Sequence, residues 1–202
     1  MTGIKLCGLS RICDIEATNR LKPDYIGFVF ASKSRRYVKP QKAEELKHLL
    51  DPEVKAAGVF VNEMPETVAG LLNDGIIDIA QLHGDEDEDY IKRLRLMTDK
   101  PVIKAFRIET AGDLLFAEQS SADFILLDSG AGTGKVFDWN LIQNVKRPFF
   151  LAGGLTLENI ENALNILHPY AVDVSSGIET DGVKDEIKMA AFVAAVRKED
   201  RL

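Results

Sequence analysis

The chain has 202 residues, 46% of them hydrophobic and 28% charged, which is enough to bury a sizeable core and excludes a disordered or fibrous chain. A net charge of −7 argues against nucleic acid as a bulk partner, although a local basic cluster still suits a phosphate. Two cysteines, Cys7 and Cys13, form neither a disulfide framework nor a zinc spacing, so reduced thiols in a cytoplasmic protein are expected.

In chain order, short apolar runs occur at IKLC (4–7), YIGFVF (25–30), KAAGVFV (55–61), DIAQL (78–82), VIKAF (102–106), DFILLD (123–128), PFFLA (148–152) and AVDVS (171–175). Each is too short for a helix, and their continuous hydrophobicity suits strands buried on both faces. Helical patterns lie between them. PQKAEELKHLL places Pro40 in a first turn and Ala43, Leu46, Leu49 and Leu50 on one stripe. DEDEDYIKRLRLM loads its start with acid and its end with Lys92, Arg93 and Arg95, as the helix dipole favours. TLENIENALNIL has Thr156 as an N-cap and turns Ile160, Ala163, Leu164 and Leu167 inward, and VKDEIKMAAFVAAVRK closes the chain as a helix. One helix between each pair of strands predicts parallel neighbours and right-handed crossovers. Eight such units predict an α/β fold, a single-domain (βα)8 TIM barrel over residues 1–202. An open doubly wound sheet would need a glycine-rich turn after its first strand, and CGLSRIC is not one. MTGIKLCGLSRICD lacks a basic leader and an apolar core, and the longest apolar run, MAAFVAAV, is too short to span a bilayer, so no membrane association is expected.

In a βα barrel, function collects where strands run into their following loops. Those positions hold Cys7-Gly8, ASKSRRYV, LHGDE, Arg107, Asp128 with SGAGTGKVFDW, AGGL, and DVSSGIET. Gly153-Gly154 after the seventh strand and Ser175-Ser176-Gly177 after the eighth suit a phosphate, and a short helix starting near Gly177 would add its positive end. Asp173, from the same eighth segment, joins them as an expected substrate-binding residue. SGAGTGK is not a P-loop, because Ser129 stands where the first glycine is required and Val136 follows Lys135. A lid over substrate and a solvated loop both fit it.

Asp128 ends FILL, where desolvation would raise its pKa and keep it protonated. Cys7 has the opposite need: a basic thiol must lose its proton, with help from neighbouring cations or dipoles. A raised carboxyl and a lowered thiol would make an acid–base pair. The residues alone equally allow a small inert cysteine and a loop-stabilising carboxylate. Within the Arg35-Arg36 pair, a guanidinium could grip a carboxylate bidentately or be solvated. His83 lacks companions at ligand spacing, so it is expected to support the site or the fold, with no metal, and Cys13 is expected to pack in a helix.

KLCGLS, YIGFVFASKSRRYV, QLHGDE, LLDSGAGTGKVFDW, PFFLAGGL and VDVSSGIET together resemble the successive signature segments of the phosphoribosylanthranilate isomerases of tryptophan biosynthesis. The resemblance runs in order from residue 5 to about 186. It implies a (βα)8 barrel that carries out an Amadori rearrangement. It makes Cys7 the general base, Asp128 the general acid and Arg36 the holder of the anthranilate carboxylate. The substrate's Schiff-base nitrogen would be the electron sink, so no cofactor is expected. Ser10 stands where threonine is commoner in the family, which keeps the hydroxyl, and the extra residues in DSGAGTGK suggest a loop variant. Isomerases that open a phosphoribosyl imidazole resemble double-carboxylate sites, with aspartate where this chain has Cys7. A phosphosugar epimerase would be expected to carry clustered histidines, and the three here are scattered. A non-catalytic phosphosugar binder is the alternative of another class. The expected partner is a small phosphoribosyl substrate, with the chain a monomer or homodimer.

Overall fold

In the computed structural model, which describes residues 1–128 and 139–199, all eight apolar runs are parallel strands. They are β1 Gly3–Cys7, β2 Tyr25–Val29, β3 Lys55–Phe60, β4 Ile79–Leu82, β5 Val102–Arg107, β6 Phe124–Asp128, β7 Phe149–Ala152 and β8 Ala171–Val174. Each pairs with its neighbour, and β1 pairs with β8, Lys5 standing opposite Asp173, so the sheet closes into a barrel. Around it lie α1 Ile12–Leu21, α2 Pro40–Leu49, α3 Pro65–Asn73, α4 Glu88–Arg95, α5 Ala111–Gln119, α6 Ile160–Leu167 and α7 Glu186–Glu199.

Alternation along each strand sorts the residues. Ile4, Leu6, Ile26, Phe28, Ile125 and Leu127 are fully buried in the outer core that the helices share. The intervening positions turn into the barrel, where Ala57, Ile103, Ala105, Leu126 and Phe150 form a second core. At the amino-terminal ends of the strands, Tyr25, Phe124, Phe150 and Tyr170 pack ring against ring with centroids 5.3–5.7 Å apart. The Tyr25 and Tyr170 hydroxyls are 3.2 Å apart, so the floor of the barrel is aromatic.

Three local expectations need correcting. The helix expected from Thr156 begins at Ile160, because Asn159 folds back: its Oδ1 accepts from the Thr156 N–H and its Nδ2 donates to the Gly154 carbonyl. Before β7 the described residues form one 3₁₀ turn, Trp139–Ile142, rather than an α-helix. Pro148 holds Arg147 away from the helical region, and few residues remain before the strand. Cys13 lies on α1 but is exposed rather than packed. After β8, β9 Glu179–Thr180 and β10 Val183–Lys184 form a hairpin, turned by Asp181 and Gly182 with φ of 51° and 79°, the twist that suits a two-residue connection. No helix of the described residues is long and apolar enough to cross a membrane.

Candidate active site

The carboxyl ends of the strands surround a cavity of about 300 Å³. Cys7, Arg36, His83 and Asp128 line it, together with Gly153, Gly154, Asp173, Ser175 and Ser176. The expected acid, base, arginine and loops therefore meet in one space. The glycine-rich stretch 129–137 lies outside the described residues.

Cys7 is the last residue of β1 and points inward. Its partner on β2 is Gly27, where a methyl carbon would stand 2.5 Å from Sγ, so the thiol occupies space that only glycine leaves. The next residue, Gly8, has a φ of +84°, and a side chain there would meet Arg36 Cδ at 2.5 Å. The Cys-Gly pair thus seats the thiol and lets the arginine pass over it. Two residues back on the same face, Lys5 is fully buried, its Nζ donating to Asp173 Oδ2 at 2.8 Å. Burial opposes the charge on Lys5, but Asp173 and Cys7 outweigh it and raise its pKa, so it stays a cation. Burial pushes the Cys7 thiol up, while Lys5 and Lys184 pull against that shift. The net direction is upward, opposite to the lowered thiol expected from the sequence. Desolvation inside the barrel outweighs the cations, and Cys7 rests as a thiol.

Asp128 ends β6 on another part of the cavity wall. Its Oδ2 lies 3.1 Å from His83 Nε2, and His83 Nδ1 lies 2.8 Å from Gln81 Nε2. An amide N–H can only donate, so Nδ1 accepts and Nε2–H is left to donate to Asp128. His83 is therefore an orienting partner of Asp128. Among the described residues no three histidine, cysteine or acidic side chains gather as a metal group. Gln81 escaped the sequence reading, although QLH places it two residues before His83 on one strand face.

Arg36 holds a surprise. Its Nε and Nη2 donate to Glu179 at 2.6 and 2.9 Å, so the protein's own carboxylate already fills one edge of the fork expected for substrate. A guanidinium has five N–H donors, more than the two used here. Burial would raise the Glu179 carboxyl, but hydrogen bonds from Arg36 and Lys184 overcome it and bring the pKa down to about 2.

In the loops expected to hold phosphate, Gly153 and Gly154 have φ of 89° and 64°. Ser175 spends its hydroxyl on the Cys7 carbonyl at 3.1 Å, and Lys184 Nζ donates to the Ser175 carbonyl at 2.8 Å. Gly177 is not on the cavity wall; a Cβ there would strike the Leu155 carbonyl, so it lets the eighth loop close against the seventh. Its expected short helix is a single 3₁₀ turn, Ser176–Ile178. Asp173 Oδ1 is buried without a hydrogen-bond partner, a spare acceptor beside the cavity.

A family model described as N-(5'phosphoribosyl)anthranilate (PRA) isomerase matches residues 4–195. The chain belongs to the phosphoribosylanthranilate isomerase family. Among the family's members, the N-(5'-phosphoribosyl)anthranilate isomerase of Endomicrobium trichonymphae is 45% identical over 202 residues, covering 98% of this chain and 99% of that one. The isomerase of Clostridium acetobutylicum is 44% identical at 98% and 99% coverage. The crystal structure of the Thermotoga maritima isomerase superposes with a TM-score of 0.88 at 34% identity, covering 98% of this chain and all of the other. A structure of the isomerase in complex with reduced 1-(o-carboxyphenylamino)-1-deoxyribulose 5-phosphate gives a TM-score of 0.85 at 33% identity, with 98% and 100% coverage.

Proposed function

We propose that Cys7 and Asp128 are the base and acid with which this barrel converts N-(5'-phosphoribosyl)anthranilate to 1-(2-carboxyphenylamino)-1-deoxyribulose 5-phosphate. The isomerisation is the reaction of its family and belongs to tryptophan biosynthesis. The observation that carries the assignment is the thiol and the carboxyl on one cavity wall with Arg36 beside them.

Asp128 gives a proton to the ribose ring oxygen. The C1'–O bond breaks, and the nitrogen lone pair forms the C1'=N bond of a protonated Schiff base. His83 donates to Oδ2 and orients the Asp128 carboxyl for that transfer. Cys7 acts in its ionised fraction, the thiol proton having passed to solvent beforehand; the thiolate removes the proton on C2', the C–H electrons become the C1'=C2' bond, and the nitrogen regains its pair. Ketonisation places a proton on C1' and takes one from the C2' hydroxyl, so substrate and product are isomers and both side chains are restored. Each acid–base step contributes roughly 10²–10⁴-fold. Lys5 and Lys184 favour the thiolate that the step requires.

Arg36 receives the anthranilate carboxylate on N–H donors that Glu179 leaves free, Gly153, Gly154, Ser175 and Ser176 offer backbone N–H groups to the phosphate, and Gly177 lets the eighth loop close against the seventh. Asp173 faces the ribose from the cavity wall. Residues 1–202 act as one catalytic domain in the cytoplasm, as a monomer or a homodimer. A solved structure of the Thermotoga maritima enzyme is described as monomers generated from a dimeric form, which supports both states.

The deciding experiment adds freshly made phosphoribosylanthranilate and follows the loss of its fluorescence, in the parent and in Cys7→Ser. Fast loss in the parent and almost none in the variant supports the assignment. Equal rates remove the thiol from the mechanism, and conversion in neither favours a phosphosugar-binding barrel.

A further inference from the structure

Glu179 takes no part in the proton transfers, yet four hydrogen bonds from three cations converge on it. Arg36 donates twice, at 2.6 and 2.9 Å, Arg35 Nη2 once at 2.8 Å and Lys184 Nζ once at 2.7 Å. The Glu179 side chain is 4% exposed and that of Lys184 3%. They stand opposite each other across the β9–β10 hairpin, while Arg36 arrives from the loop after β2 through the space that Gly8 leaves. Lys184 is anchored separately to the Ser175 carbonyl and hydroxyl. One carboxylate therefore joins the loop after β2 to the hairpin after β8 beside the cavity.

We propose that Glu179 is a positioning residue with two effects: it fixes Arg36 by its Nε edge so that the remaining donors face the substrate's carboxylate, and it balances the charge of Arg36 and Lys184 beside the Cys7 thiol. The first effect rests on the reading that Arg36 binds that carboxylate. Glu179 stays in place when substrate arrives, because Arg35 and Lys184 hold it independently of Arg36. A bidentate arginine pinned on one edge keeps its plane and loses less freedom on binding. The second effect follows from the groups that face the thiol: Lys5 from β1 and Asp173 from β8, Lys184 from β10, and Arg36 from above. With Glu179 neutral, Arg36 keeps its charge without a counter-ion and the thiolate is favoured, while burial opposes the charge of a Lys184 that has lost its partner.

The test uses a Cys13→Ser background, since Cys13 is exposed and would also react with a thiol reagent. Four proteins are compared: the background, Glu179→Gln, Glu179→Gln/Lys184→Met and Arg36→Met. The readouts are KM, kcat and the pH midpoint of Cys7 alkylation by iodoacetamide. Glu179→Gln is expected to raise KM roughly ten- to a hundredfold, the effect of losing hydrogen bonds to a charged group, with a smaller change in kcat. Its alkylation midpoint is expected to move to lower pH. The double variant keeps both the raised KM and the lowered midpoint, since Arg36 carries the effect, and with Lys184 gone it lacks an unpaired buried lysine, so it stands if the single variant fails to fold. A KM unchanged or lowered by Glu179→Gln, where Arg36→Met raises it, would make Glu179 a bystander or a competitor and overturn the positioning effect. A KM unmoved by Arg36→Met would instead overturn the reading of Arg36, and the first effect with it. An alkylation midpoint that does not move overturns the charge effect.

Discussion

Gly27→Ala tests whether the place of the thiol matters as much as its chemistry. The new methyl would lie 2.5 Å from Cys7 Sγ, with Cys7 Cα at 3.1 Å and Cβ at 3.2 Å. Ordinary heavy-atom contacts fall at about 3.5–4.0 Å, so the thiol must retreat by about 1 Å, and the nearby backbone leaves it no simple rotation to do so. A misplacement of that size costs on the order of 10²-fold in rate, about 2.7 kcal/mol on the barrier. Overpacking costs about 1–3 kcal/mol of stability, a fall in Tm of roughly 2–4 °C per kcal/mol for a chain of this length, so the variant should still fold. The assay is kcat/KM from the loss of substrate fluorescence, beside a thermal melt by circular dichroism. A lowered Tm with parental kcat/KM would refute the argument, since the thiol would have moved at no cost to the reaction.

Three further predictions concern charge. Because burial raises the Cys7 thiol, the pH midpoint of its alkylation by iodoacetamide in the Cys13→Ser background should lie above the usual thiol range; a midpoint near pH 6 would contradict that direction. Lys5→Met strands the Asp173 carboxylate inside the barrel and should cost about 3–5 kcal/mol in urea unfolding, whereas a loss under about 1 kcal/mol would show that the pair is not needed. The Glu179 carboxyl, brought from 4.5 to about 2, contributes about 3 kcal/mol that is complete above pH ~4.5 and lost as pH falls toward 2. The stability gap between parent and Glu179→Gln should therefore close across that acid window, and a gap independent of pH would exclude the ion cluster as its source.

The strands were legible because a parallel barrel buries both faces of each strand, leaving continuous apolar runs such as FILL. The place of Cys7 and Asp128 on one cavity was legible because both stand at strand ends, where a barrel opens to solvent. The supporting charges were harder to see. Lys5 lies 168 positions from Asp173, and only closure of β1 onto β8 brings them together. The one signal was a lone lysine inside GIKLC, two residues before Cys7 and so on its face. Glu179 read as part of a loop, because nothing local reveals that a two-residue turn folds Lys184 back on it. The direction of the Cys7 shift was missed for a related reason: sequence shows which charges could be near but not how much water has been removed.

The aromatic floor makes the barrel a vessel with a single opening. With Tyr25, Phe124, Phe150 and Tyr170 packed ring on ring at the amino-terminal end, the cavity of the described residues lies at the opposite end, and the thiol is reached from that mouth. Substrate seated there is itself the stopper. On the proposed role of Cys7, a hydron lifted from C2' is then confined with the molecule that lost it until the product leaves, and part of an isotopic label from that carbon should travel out on C1' rather than wash into the solvent.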